Sequence, residues 1–166
     1  NYHYEKVIFK GYANLWATYY IDTLVFNAGF GLQFYNNDVL TINDTLIING
    51  SDCEHFFSFN INNPANNAEI RTTKDINLSH ILVNNVDFTG TGSIKLGQSH
   101  NLSNSSGWTF IDTLTSRDLY WIGGDGNWND GSHWSSTSGG ASLGCVPNFS
   151  DNVFFDQNSF TVQADI

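Results

Sequence analysis

The sequence predicts an all-β fold in which short strands wind into a β-solenoid, a module like a parallel β-helix. Three observations predict it. Short apolar runs recur from residue 21 to residue 111, most of them closed by Asn, Gly or Pro. Runs this short, with turn residues at their ends, read as strands rather than helices. The composition points the same way: aromatics make up 15% of 166 residues, with 13 Phe and 7 Tyr, and Met is absent. Phe, Tyr, Ile and Val pack well on pleated surfaces, whereas Asn, Gly, Ser and Thr are poor helix formers. Finally, Asp22-Thr23-Leu24 recurs as Asp44-Thr45-Leu46, each copy followed by two β-formers. An offset of 22 residues falls within the span of one solenoid coil, about 20–30 residues. Each strand would pair in parallel with its equivalent in the next coil. The alternative is an antiparallel β-sandwich, which also gives short strands at regular spacing.

The elements follow in order. Residues 4–20 hold apolar residues without a clean helical period and give no clear element. Residues 21–26 form the first strand and run into Asn27-Ala28-Gly29. Residues 39–42 and 45–48 read as two strands separated by Asn43 and Asp44, the second closed by Asn49-Gly50. Residues 56–61 precede Asn62-Asn63-Pro64, and strands at 68–72, 81–83, 86–88 and 93–96 follow. Asn at the corners tolerates the left-handed backbone that a sharp bend needs. Residues 98–107 are almost entirely polar and look like a joint. Residues 107–111 make one last strand, where Trp108 is placed to cover the end of an apolar stack, as capping units do. A module boundary is expected near residues 114–118, so that 1–116 closes one β-rich repeat and 117–166 opens the next. A strong opening signature so near Ile166 points to a window cut from a longer, repetitive protein.

Charge limits the partners. Charged residues are only 13% of the chain, and the net charge of −10 reflects few Lys and Arg. Phosphate binding needs clustered basic residues, so nucleic acid is not expected as a partner. No signal peptide begins the chain and no apolar run reaches transmembrane length, so membrane insertion is not expected either. The two cysteines, Cys53 and Cys145, form no CxxC pair. They are disulfide candidates, with each other or outside this window.

The richest segment is Tyr120-Trp121-Ile122-Gly123-Gly124-Asp125-Gly126-Asn127-Trp128-Asn129-Asp130, with Gly131 and then Trp134. Turn residues alternate here with large apolar anchors. Asp125, Asn127, Asn129 and Asp130 place oxygens as calcium loops do, but the sixth loop position is Asp130 rather than Gly and the twelfth is Ser136 rather than Glu. They are calcium candidates, the only cofactor to which the sequence points. The structural reading is an Asx-rich turn. Trp121, Trp128 and Trp134 are candidates for a sugar-binding platform, or else the core of an entry segment. His3, His55, His80, His100 and His133 show no metal-binding spacing. Carboxylates such as Asp52, Glu54 and Glu69 have no diagnostic spacing for acid pairs, and GxSxG is absent. No catalytic residues are assigned, and the chain is not expected to be an enzyme.

The opening segment, with Cys145-Val146-Pro147 and Asp151-Asn152-Val153-Phe154-Phe155-Asp156, resembles the start of repeats in giant secreted surface proteins of Bacteroidetes. Ile48-Asn49-Gly50 with Cys53, Ala68-Glu69-Ile70, Val86-Asp87-Phe88-Thr89-Gly90-Thr91-Gly92 and Gly107-Trp108-Thr109-Phe110 resemble the closing half of such a repeat. The resemblance covers most of residues 21–166, in permuted order, and residues 1–20 match nothing in it. It implies a cell-surface adhesin exported by the type IX route, built of tandem β-rich modules and linked to gliding or surface attachment. Its partners would be neighbouring repeats of the same chain and surface polysaccharide. It implies no catalytic residues. The resemblance also implies O-glycosylation of Thr following Asp and preceding an aliphatic residue, which gives Thr23, Thr45 and Thr113; the structural alternative is that Asp-Thr-Leu simply starts a strand. Asn-x-Ser/Thr sequons at Asn43, Asn49, Asn77, Asn101, Asn104 and Asn148 are expected by chance in so Asn-rich a chain. The rival functions are a carbohydrate-binding module and a polysaccharide-acting solenoid enzyme.

Overall fold

A computed structural model of the chain describes residues 2–27, 31–49, 55–63, 65–112 and 114–160. It falls into two compact units, Asn1–Leu114 and Thr115–Ile166.

In the first unit the strands are β1 (Tyr2–Phe9), β2 (Ala13–Leu15), β3 (Tyr19–Asn27), β4 (Gly31–Phe34), β5 (Val39–Asn49), β6 (Phe57–Ile61), β7 (Ala68–Thr72), β8 (Ile76–Ser79), β9 (Ile81–Asn84), β10 (Val86–Thr89), β11 (Ile94–Gly97), β12 (His100–Ser103) and β13 (Thr109–Phe110). They form three sheets, ordered β1-β3-β5-β7-β10, β2-β4-β6-β9-β12 and β8-β11-β13. Every pairing is parallel. The unit is thus a β-solenoid of about five coils, and the antiparallel sandwich is excluded.

The repeated Asp-Thr-Leu is the pairing register itself: Thr23 lies beside Thr45 and Leu24 beside Leu46. Upstream, Ile21 lies beside Ile42, so β5 carries one extra residue around Asn43 and Asp44. That bulge corrects the expectation of two strands at 39–42 and 45–48. A bulge bends a strand without ending it, and Asn43 Nδ2 donates to Asp22 Oδ1 at 2.7 Å across the irregularity. Other segments also differ from expectation, among them β4 and β8, which the sequence reading left without a strand. Residues 4–20 form the first coil, and the polar run 98–107 contains β12. β1 is an edge strand and mostly exposed, so it lacks the alternation of a half-buried strand.

Inward residues stack between the sheets. Leu40 lies beside Ile70 and Ile70 beside Phe88 in the first sheet; Leu32 lies beside Phe59 and Phe59 beside Val83 in the second; Ile76 lies beside Ile94 in the third. All belong to one buried apolar cluster. Trp108 packs against it, stacking on Phe59 at 5.7 Å while its indole N–H donates to the Val86 carbonyl at 2.7 Å. It therefore covers β10, the last strand of the first sheet. The chain approaches β10 closely just before this: a Cβ on Gly107 would sit 2.0 Å from the Phe88 carbonyl oxygen, and its φ is +82°. Only glycine fits there.

Four corners turn through left-handed backbone at His80, Asn85, Gln98 and Asn104. The corners are stacked: the His80 amide donates to the Gly97 carbonyl and the Asn85 amide to the Ser103 carbonyl. A β-branched residue is strained in this region. Asn85→Val is expected to destabilise the unit by about 1–2 kcal/mol and Asn85→Gly to be nearly neutral. Urea midpoints of the two variants check this, and equal midpoints would rule out backbone strain as the cause.

The second unit contains β14 (Asp118–Trp121), β15 (Trp134–Ser135) and β16 (Asn152–Phe154), with a 3-10 turn at Gly131–His133. β14 pairs antiparallel with β15 and parallel with β16. Leu119, Trp121 and Trp134 form a small core with Val146 against it. Among the described residues no helix is long and apolar enough to cross a membrane.

Candidate functional site

Turn chemistry organises the second unit. The Trp121 indole N–H donates to the Gly124 carbonyl at 2.6 Å, and that of Trp134 to the Trp128 carbonyl at 2.9 Å. Each ring is thereby tied to the loop beside it. Asn127 Oδ1 accepts the Asn129 amide at 3.0 Å, and Asp130 Oδ1 accepts the Ser132 amide at 2.9 Å, capping the 3-10 turn. Hydrogen bonds from Ser132 hold the Asp130 carboxyl below its ordinary range. Two of the four calcium candidates are therefore turn acceptors; Asp125 and Asn129 are exposed. Among the described residues no three His, Cys, Asp or Glu gather to hold a metal.

Of the three tryptophans, Trp121 and Trp134 belong to the core of the segment, the alternative to a sugar-binding platform. Trp121 and Trp134 are 5% and 0% exposed, and their planes meet at 85° with centroids 5.0 Å apart. A flat ring buried edge-to-face cannot lie against a sugar. The physical reason is the small size of the unit: with few aliphatic residues available, it uses its largest apolar side chains as core. Trp128 alone of the three is exposed, at 45%, and packs edge-on against Trp134 at 4.7 Å.

Around Trp128 the structure gathers other rings. Phe155 packs on Trp121 at 5.8 Å and on Trp134 at 6.2 Å, and Phe160 stacks on Phe155 at 6.1 Å with 9° between planes. Trp121, Asp125, Gly126, Trp128, Phe155 and Phe160 line an open cleft of about 490 Å³. Below it the His133 ring stacks on Trp121 at 4.7 Å, and its Nδ1 lies 2.8 Å from the Ile122 carbonyl. A Cβ on Gly126 would fall 2.1 Å from His133 Nε2, so glycine lets the loop close over the imidazole. Neither Phe155 nor Phe160 is assigned to a site by the sequence reading. The available signal is Phe154-Phe155 at the end of β16, because alternation sends one ring to each face. Phe154 indeed stacks on Tyr120, on the side away from Trp121.

An ion pair ties down the loop before β16. Arg117 reaches Asp151 with Nη2 to Oδ2 at 2.6 Å and Nε to Oδ1 at 3.1 Å. The Asn148 and Arg117 amides also donate to this carboxylate. Burial opposes ionisation of Asp151, but the Arg117 side chain and the two amides outweigh it and hold its carboxyl below the ordinary range.

On the first unit, carboxylates join successive coils. Asp75 Oδ1 accepts the Ser93 amide at 3.0 Å and hydroxyl at 2.8 Å, and Asp87 Oδ1 accepts both groups of Ser106 at 2.8 Å. Ser93 keeps the Asp75 carboxyl low. Burial pushes that of Asp87 up, but Asn67 and Ser106 bring it below its ordinary range. Glu69 accepts from Arg71 at 2.5 Å and from the Thr89 hydroxyl. These pairings act between or along coils as polar ladders, and they explain how a surface with few Lys and Arg is held together. Thr23 and Thr45 stand side by side and half-buried, and Thr45 Oγ1 donates to Asp44. Thr113, Cys53, Asp52 and Glu54 lie outside the described residues. Cys145 is buried and disulfide-bonded.

No family model, curated protein or solved structure matches this chain.

Proposed function

We propose that the chain is a structural, adhesive module of a long secreted cell-surface protein, one of a series of β-rich repeats that hold binding surfaces away from the cell. The observation that carries this reading is the in-register parallel stack of the first unit. Backbone ladders along the stack, reinforced by Asp–Ser and Asn–Asn links between coils, make such a unit stiff, and stiffness is what a load-bearing spacer needs. The disulfide at Cys145 supports an oxidising, extracellular setting. The resemblance of residues 21–166 to repeats of Bacteroidetes surface proteins supports export by the type IX route and a part in gliding or attachment. In that setting Thr23 and Thr45 are glycosylation sites, and neighbouring repeats are the immediate partners.

Inert beads coated with the chain provide the test. In shear flow over a polysaccharide-coated surface, these beads should be retained longer than beads coated with serum albumin. Equal retention would count against an adhesive role.

A further inference from the structure

We infer that the cleft walled by Trp128, Phe155 and Phe160 binds a neutral saccharide, with pyranose rings laid on the exposed aromatic faces and Asp125 accepting from hydroxyls at the rim. The inference rests on the adhesive reading for its biological role and names the ligand of that role.

Three observations carry it. The rings of Trp128, Phe155 and Phe160 are open to solvent at 45%, 53% and 47%, and the first two are fixed from behind. Trp128 leans on the buried Trp134, and Phe155 on both Trp121 and Trp134. Held rings lose little side-chain freedom when a ligand arrives, which favours affinity. A small monomeric unit ordinarily hides such faces; a group of them left open around one cleft marks a binding surface. The volume of about 490 Å³ lies within the ~300–1,000 Å³ usual for ligand pockets.

The chemistry of the lining selects the ligand class. Among the described residues no Lys or Arg lines the cleft, and Asp125 stands at its rim, so phosphates and uronates are disfavoured. The residues that remain offer flat apolar faces edged by an acceptor. A pyranose has the matching pattern, with one face of C–H groups and hydroxyls around its edge. A quaternary ammonium also favours aromatic rings beside a carboxylate, but it requires faces that converge on one point. Here Phe155 and Phe160 lie within 9° of parallel, so these two rings do not converge on one point.

The test is electrophoresis of the 166-residue chain through native gels containing laminarin, xylan or mannan, with polygalacturonate as the anionic control and choline as soluble competitor. At least one neutral polysaccharide should retard the wild-type chain, and polygalacturonate should not. Trp128→Ala and Phe160→Ala should each weaken retardation about ten-fold with unchanged far-UV circular dichroism, and millimolar choline should have no effect. Two variants are used because Trp128 also touches the core, whereas Phe160 stacks on Phe155. Absence of retardation by all three neutral polymers, retardation that both variants retain, or release by choline would each overturn the inference. If the coated beads still adhere in flow while the gels show no retardation, the saccharide site falls and the adhesive reading stands. If the beads also fail to adhere, both fall.

Discussion

Replacing Phe59 with alanine lowers the stability of the solenoid unit by about 3–5 kcal/mol. Phe59 is fully buried in β6, between Leu32 of β4 and Val83 of β9. Its ring meets Phe57 edge-on at 5.0 Å and Trp108 in a stack at 5.7 Å. Truncation removes a large buried area and leaves a cavity between three coils. The surrounding backbone is fixed by parallel ladders on both sides, so it cannot collapse to fill that space. The loss also removes the ring on which Trp108 stacks, leaving Trp108 held by Phe88 and its bond to Val86. Guanidinium unfolding followed by far-UV circular dichroism measures the effect. A loss below about 1.5 kcal/mol, the range of a volume-conserving core change, would mean that Phe59 is not packed as described.

The second large effect lies in the smaller unit. Asp151→Ala is expected to cost about 3 kcal/mol, because the Asp151 side chain is 0% exposed and the substitution strands the Arg117 guanidinium and the Asn148 and Arg117 amides. A pH dependence accompanies it. The Asp151 carboxyl is depressed in the folded chain, while in the unfolded chain it titrates near ~3.9. The unfolded state therefore takes up the proton first as pH falls. The stabilisation is complete above the ordinary aspartate range and is lost as pH drops through the depressed folded value. Near-UV circular dichroism of the tryptophans against pH should show an acid transition that moves upward in Asp151→Asn. An unmoved transition would show that the pair contributes nothing to acid stability.

Much of the solenoid is legible in the sequence because its register is written in side chains. Thr23 and Thr45 carry the coil spacing directly, and the alternation Phe57-Ser58-Phe59-Asn60-Ile61 gives the inward face of β6. Corner positions at Asn85 and Asn104 follow from the tolerance of Asn for left-handed backbone. The first coil is not legible, because β1 is exposed along most of its length and shows no alternation. The merging of two short runs into β5 depends on a bulge supported by Asp22, a partner one coil away. Coil lengths vary as well: Val86 pairs with Ala68, 18 residues back, while Glu69 pairs with Val39, 30 residues back. Period alone therefore misses the later coils.

The candidate site is legible only in part. Trp128 stands out by its turn-rich surroundings, but nothing local distinguishes it from Trp121 and Trp134, which the small core needs. Phe155 and Phe160 reach the same cleft through the parallel pairing of β16 with β14, a contact that no short-range pattern reveals. The ion pair of Arg117 with Asp151 spans 34 residues for the same reason.

Single-molecule force spectroscopy tests the central claim most directly. The chain is tethered by its N-terminus to a probe, pressed on a polysaccharide surface and withdrawn. A stiff adhesive module predicts that the probe holds and then detaches at a rupture force well above that of an albumin-coated probe, without the lengthening that unravelling of the coils would add. Detachment no stronger than albumin, or lengthening of the chain before detachment, would contradict it.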